Sequence, residues 1–283
     1  MLISDRYLDQ LLLVDRRTEN DTEWLGRLAG YVPGLYQFLF EVEPMSDLTL
    51  IRHGKADAFG ADYDRLTEIG REQSRYLGDY WVSQNTHFDE VYTGPRIRQI
   101  DTAVEVGARM TEGGLPWPEP VMIEELDEYD GHGIVKRFGP ELAERDEHIR
   151  QLIEADRRSV EPRDRHRTFQ HLFEALVMKW VSGELISAET ESWLAFRTRV
   201  EHGLARIMER QGSGRRVAVF TSGGPISIAV QLATKAPPEM AMELNWRIRN
   251  ASLTGIVFSS ERRTLDYFNA IPHLTLPELW TYR

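Results

Sequence analysis

Residues 48–54 read Leu-Thr-Leu-Ile-Arg-His-Gly. Leu48 to Arg52 has the character of a buried strand, yet it runs straight into an imidazole and a glycine. Arginine and histidine are costly in a core unless they are paired. An apolar run that ends in a guanidinium, an imidazole and a flexible residue is a strand that delivers chemistry to its C-terminal end.

Outward from this strand the pattern alternates. LTEIGREQSRYLGDYWV (66–82) spaces its apolar residues as a helix does, with Thr67 as N-cap or first-turn residue. FDEVYT (88–93) is a second strand, and IRQIDTAVEVGARM (97–110) is a second helix, begun near Pro95 and closed by Gly113-Gly114. VMI (121–123) is a short third strand. VAVFT (217–221) is a fourth, followed by a helix, SGGPISIAVQLA, that opens with two glycines. SLTGIVFS and TLDYFNA read as a hairpin across the SSERR turn. Strands alternating with helices predict the α/β class, a three-layer α/β/α sandwich around a mainly parallel sheet.

Residues 134–212 break this rhythm. They are long, charged and helical, and they read as a helical insertion over the C-terminal ends of the strands. Ligands of open α/β sheets bind beyond those ends. Met45 makes a natural start, so residues 45–283 are expected to form one domain. Residues 1–44 carry Leu8, Leu11, Leu12 and Leu25 and leave two readings open. They are either a helical extension that packs on the domain or on a partner, or upstream sequence translated from an over-early start codon.

Composition excludes several classes. Among 283 residues, 41% are hydrophobic and 28% charged, as in soluble globular proteins. A net charge of -11 argues against sequence-independent binding of nucleic acid, which needs a basic face. The chain has no cysteine, so disulfides, thiolate nucleophiles and cysteine-ligated zinc are excluded. No apolar run approaches the roughly 18–20 residues of a membrane span. The first residues place acids among apolar side chains and lack a basic start, a poor signal peptide. The expectation is a cytoplasmic protein with neither membrane nor nucleic-acid partner.

Four strand ends carry chemistry: Arg52-His53-Gly54; TGPRIRQ, with Arg96 and Arg98; EELDEYDGHG, after the third strand; and TSGGP, at a helix start. Gathered at one sheet edge they supply guanidiniums, an imidazole, a carboxylic acid and the N–H groups of a helix N-terminus. That is an inventory for phosphate. Guanidinium binds phosphate oxygens in pairs and stays charged. A helix N-terminus favours anions. A neutral imidazole can attack phosphorus, and a carboxylic acid can protonate a leaving alkoxide. Plainer readings compete. Glu124, Glu125, Asp127 and Asp130 surround Glu128, and such acidic clusters are usually solvated loops. Arg96 is placed at the rim, and His132 reads as a surface-loop histidine. His166 and His171 lie five residues apart on a helix, share no face and suggest no metal site. The arginines from Arg157 to Arg167 read as a solvated face.

The ordered motifs LIRHG, LTEIGREQ, TGPRIRQIDTA, LDEYD, VFTSGGPI, NASLT and FNAIPHL resemble the histidine phosphatase superfamily, also called phosphoglycerate-mutase-like. The resemblance runs from about residue 47 to the end. It implies hydrolysis of a phosphomonoester, on a small molecule or a protein, through phosphohistidine on His53, with Glu128 as the acid/base. Arg52 and Arg98 would hold the phosphoryl oxygens, and Thr102 and Ala103 sit on the helix carrying the second arginine's motif. Gly54 would let backbone approach the phosphate closely, and Ser222 and Gly223 would also bind it. No metal and no cofactor are implied, and a homodimer is one open oligomeric state. The motifs do not separate a phosphatase from a mutase. One departure stands out: relatives usually carry a histidine where this chain has Ser222. Loss of one donor to developing charge costs about 2.7–4 kcal/mol. The alternative function is therefore a catalytically weakened phosphate-pocket protein that binds a phosphorylated ligand in a regulatory role.

Overall fold

The computed structural model describes residues 45–57, 64–210, 212–260 and 262–282. The chain divides into two compact units, Met1–Pro44 and Met45–Arg283. The expected N-terminal extension falls in the first unit, outside the described residues.

The strands are β1 (Ser46–Arg52), β2 (Glu90–Thr93), β3 (Val121–Met122), β4 (Arg216–Thr221), β5 (Leu253–Phe258) and β6 (Arg263–Ala270). They form one sheet in the order β3-β2-β4-β1-β5-β6. β1, β2, β3 and β4 pair in parallel, whereas β5 runs antiparallel to β1 and pairs with β6 as the expected hairpin. The third strand is shorter than its sequence suggests, two residues rather than three. In register, Arg52 lies beside Thr221, so the first and fourth strands end side by side.

Period-two burial builds the layers. Leu48, Leu50, Val217 and Val219 point into one core cluster, and Ile51, Ala218 and Phe220 into the other. The second cluster is covered by α1 (Glu68–Ser83) and α2 (Ile97–Glu112), through Leu77, Trp81, Ala103, Val106 and Met110. Thr67 is the N-cap of α1, accepting a hydrogen bond from the Gly70 N–H at 3.2 Å. Gly113 closes α2, as its position after the apolar run predicts.

The charged stretch after the third strand folds into α3 (Gly131–Arg145), α4 (Glu147–Arg158), α5 (Pro162–Val181) and α6 (Trp193–Met208). α7 (Gly223–Thr234) and α8 (Pro238–Asn245) follow the fourth strand. α5 reaches over the strand ends, where Phe169 and Phe173 line a cleft with His53. α6 sends Phe196, Val200, Leu204 and Ile207 into the core cluster that holds Leu48 and Val219, and α5 adds Leu172, Leu176, Val177 and Trp180 to it. The sequence reading placed the whole segment over the strand ends; its apolar stripes put α5 and α6 into the core as well.

The loop after β1 is pressed onto α1. A Cβ at Gly70 would stand 2.1 Å from the Lys55 carbonyl oxygen, and one at Gly54 would stand 2.4 Å from the Gly70 carbonyl oxygen. Both contacts are backbone, which cannot swing aside. Gly70→Ala is expected to destabilise the fold by about 1–3 kcal/mol or more, as overpacking does. A shift of the urea midpoint to lower concentration checks this, and an unchanged midpoint would show that the loop moves freely.

Candidate active site

β1 places Arg52 and His53 with main-chain hydrogen bonds on both sides. The Arg52 N–H donates to Ser252 O at 3.1 Å, and the His53 N–H donates to Thr221 O at 2.9 Å. The His53 Nδ1 lies 2.7 Å from the Gly54 carbonyl oxygen. A carbonyl only accepts, so Nδ1 carries the proton and Nε2 keeps its lone pair. The Nε–H of Arg98, in the first turn of α2, donates to that Nε2 at 3.1 Å. The other end of Arg98 pairs with Asp64 at 2.6 Å. The Arg52 guanidinium donates to the Ile248 carbonyl. Arg52, His53 and Arg98 are all more than nine-tenths buried.

The short 3₁₀ turn Glu124–Leu126 leads into the acid. Of the five neighbouring carboxylates, four separate by partner. Glu125 pairs with Arg206. Asp127 pairs with Arg96 through two hydrogen bonds of 2.5 and 3.1 Å, and it accepts the Glu128 N–H at 2.7 Å. Asp130 caps α3 by accepting the Gly133 N–H at 2.8 Å. Of the five, Glu128 is the one that lines the cleft with His53. Its carboxylate accepts the Gly224 N–H at 3.2 Å, at the start of α7. A Cβ at Gly224 would stand 2.1 Å from that carboxylate, so glycine leaves the acid its seat.

Burial, and then the charges of Arg98 and Arg52, hold His53 well below the usual histidine range. Burial pushes Glu128 up, against the opposing pull of Arg98 and of the Gly224 N–H. One cleft therefore holds a neutral imidazole and a carboxyl group biased toward its protonated form. That pairing suits a nucleophile and a general acid.

The remaining expected site residues fall elsewhere. Ser222 is fully buried at the N-cap position of α7 and does not line the cleft. Its Oγ accepts a hydrogen bond from Gln99 Nε2 at 2.8 Å. The Gly54 N–H donates to Thr102 Oγ1 at 3.0 Å, so that amide is directed to α2 rather than to the cleft. The need for glycine at 54 comes from the Gly70 backbone. A Cβ at Gly223 would stand 2.1 Å from Asn245 Oδ1, and this glycine too serves packing. Arg96 is the partner of Asp127, a placement that fits the rim reading.

Sequence reasoning singled out neither Asp64 nor Asp57, which carry no motif of their own, nor Asn250, which opens the NASLT motif. It also read His132 as a surface-loop residue; the side chain is exposed, yet it lines the cleft, its ring 6.0 Å from that of Phe169. His166, Phe169, Gln170 and Phe173 share one face of α5 and form the opposite wall with Tyr129. Their spacing of three and four residues was the available signal. Among the described residues no group of three or more His, Asp or Glu side chains is placed to hold a metal ion, and no helix is long and apolar enough to cross a membrane.

The model of the histidine phosphatase superfamily (branch 1) matches residues 48–174 and 147–271, most of the chain. No curated protein matches it in sequence. Solved structures do. A phosphoglycerate mutase from Bacillus anthracis is 19% identical over 82% of this chain and 96% of its own, with a TM-score of 0.53. A putative alpha-ribazole-5'-P phosphatase from Escherichia coli is 22% identical over 80% and 96%, at 0.54. A phosphoserine phosphatase from Entamoeba histolytica, solved with phosphoserine, is 19% identical over 81% and 100%, at 0.52. At these identities the likeness is one of fold.

The His53 environment can be read directly. In a pH titration followed by NMR, the His53 ring is expected to stay neutral well below pH 6.5. The unfolded chain takes up that proton first, so folding stability contributed by this group is complete above about pH 6.5 and falls as the pH drops below it. A midpoint at or above 6.5 would contradict the arrangement.

Proposed function

The chain belongs to the histidine phosphatase superfamily, and on that footing we propose that it hydrolyses a phosphomonoester through a phosphohistidine on His53. One observation carries the reading: a neutral imidazole with its lone pair on Nε2 shares a cleft with a carboxyl group whose ionisation burial disfavours. The substrate is a small-molecule or protein phosphomonoester, met in the cytoplasm.

An arriving phosphoryl group draws the Nε–H of Arg98 onto its own oxygens and releases the lone pair on Nε2. Arg52 and Arg98 neutralise the equatorial oxygens, where charge is spread in the transition state. Nε2 bonds to phosphorus as the P–O bond to the leaving group breaks, and Glu128 gives that oxygen its proton. Water then enters on the side of Glu128, now a carboxylate, which takes a proton from it. The new P–O bond forms, the N–P bond breaks, and inorganic phosphate leaves. Each Glu128 state is the one the next half-reaction needs. With two guanidiniums neutralising the phosphate, no step calls for a metal or cofactor.

A second reading is favoured by Ser222, which bonds to Gln99 behind the cleft and supplies no second imidazole at that strand end. It is a phosphate-pocket protein that binds a phosphorylated ligand and turns over slowly or not at all.

Phosphate release from p-nitrophenyl phosphate and an alkyl phosphomonoester panel, with chelator present, separates the two. His53→Ala is expected to lower turnover at least about a thousandfold. If wild type and His53→Ala are equally inactive but the wild type binds phosphate, the second reading holds. Glu128→Gln is expected to slow alkyl phosphates by about 10²–10⁴-fold. With p-nitrophenyl phosphate, whose leaving group needs no proton, this variant is expected to release one equivalent in a burst and then stall. The pH profile of kcat/KM is expected to fall on the alkaline side as Glu128 loses its proton and on the acid side as His53 gains one. A profile insensitive to Glu128→Gln would remove Glu128 from the chemistry.

A further inference from the structure

The segment that carries His53 is held from behind by the C-terminus. Four hydrogen bonds run in series and begin and end on this segment. The Lys55 N–H donates to Gln73 Oε1 at 2.8 Å. Gln73 Nε2 donates to Thr281 Oγ1 at 2.9 Å. The Thr281 hydroxyl donates to Asn250 Oδ1 at 2.9 Å. Asn250 Nδ2 donates to the His53 carbonyl at 3.3 Å. Gln73 and Asn250 are at least 99% buried, and the Gln73 oxygen and both ends of the Asn250 amide find their partners within the series, while Gln73 Nε2 has a second acceptor and the His53 carbonyl also accepts the Ala251 N–H at 3.2 Å.

The polarity of the series is set by its ends. Lys55 offers an N–H and His53 offers a carbonyl, and neither can change role. Gln73 must therefore turn its oxygen toward Lys55 and its nitrogen toward Thr281. Asn250 must turn its nitrogen toward His53 and its oxygen toward Thr281. Between them stands a side chain that must accept and donate at once. A hydroxyl does both; an aliphatic group does neither. Between His53 and Lys55 lies Gly54, whose carbonyl accepts the hydrogen bond from His53 Nδ1. Holding both flanks of Gly54 holds that carbonyl, and with it the ring.

The strap that brings Thr281 is anchored apart from the series. The Asn250 N–H donates to Thr281 O at 2.9 Å, and Gln73 Nε2 also reaches Leu279 O at 2.7 Å. The Trp280 indole N–H donates to Leu274 O at 2.8 Å. The Arg249 guanidinium lies over the Trp280 and Tyr282 rings, at 5.8 and 5.2 Å. Removing the Thr281 hydroxyl thus leaves the strap in place while breaking the series at its centre.

We propose that Thr281 is a positioning residue for the nucleophile: through Gln73 and Asn250 it holds the His53–Lys55 segment so that the Gly54 carbonyl orients the His53 ring. The proposal rests on the phosphohistidine reading for its kinetic consequence, though not for its structural one.

The test compares full-length Thr281→Val, Thr281→Ala and Thr281→Ser with wild type. Three quantities are measured: kcat and KM on p-nitrophenyl phosphate, the His53 ring nitrogen signals in long-range ¹H–¹⁵N NMR spectra, and the thermal midpoint. Valine and alanine are expected to lower kcat about tenfold, as small misplacements of a reacting group do. KM is expected to stay within about twofold, and the His53 signals to shift toward a mixture of tautomers in a protein still folded at the assay temperature. Serine is expected to restore kcat and the wild-type spectrum. Wild-type signals in the valine and alanine variants would overturn the proposal. So would a serine variant as slow as valine, or a loss of kcat that merely tracks the fraction unfolded. If valine fails to fold, alanine decides. If wild type shows no hydrolysis, the phosphatase reading fails, and the NMR comparison alone still decides the role of Thr281.

Discussion

A neutral imidazole buried between two guanidiniums is the constraint on which the rest of this structure depends. Two fixed positive charges beside His53 oppose its protonation, and burial opposes it further. The same burial would make the guanidiniums costly if they stood alone. Each is tied: Arg52 to a carbonyl of the loop before β5, and Arg98 to Asp64. The tethers come from distant parts of the chain, so the site exists only when the sheet has closed and both loops have arrived. The positive field that disfavours an imidazolium is also the field that a phosphate needs.

The carboxyl group shows the complementary logic. Glu128 faces the N-terminus of α7 and the Arg98 charge, both of which favour ionisation, yet burial prevails and pushes its pKa up. Its neighbours are absorbed by other tasks. Asp127 binds Arg96 and presents its oxygen to the Glu128 N–H. Arg199 donates to the carbonyls of Glu125 and Asp127 at 3.0 and 3.1 Å and pairs with Glu191. The acidic loop is thus built around one residue that is left facing the cleft, and the charges around it are its scaffold.

Glycines in this site serve close packing more than ligand access. Gly54 and Gly70 bring the His53 segment against α1, Gly223 admits Asn245, and Gly224 admits Glu128. Ser222 and Gln99 likewise form a buried pair behind the cleft rather than in it. Residues that the family resemblance assigns to phosphate thus lie one layer behind the cleft, packed against the residues that line it.

The sequence by itself determined the α/β class, the strand and helix order, and the strand ends that carry chemistry, with Arg52, His53 and Arg98 among their residues. These are legible because period-two and period-3.6 patterns are local, and because a strand that ends in a charged or nucleophilic group breaks its own apolar pattern. Only the tertiary structure decided which of five carboxylates lines the cleft with His53, that Ser222 and Gly54 lie behind the cleft, that α5 walls the cleft while packing with α6 into one core, and that Thr281 stands behind His53. Those outcomes turn on contacts between residues far apart in the chain. Thr281 lies beside Asn250 and Gln73 because β1, α1 and the C-terminal strap converge on one loop. A lone threonine near a C-terminus carries no periodicity and no motif from which that convergence could be read.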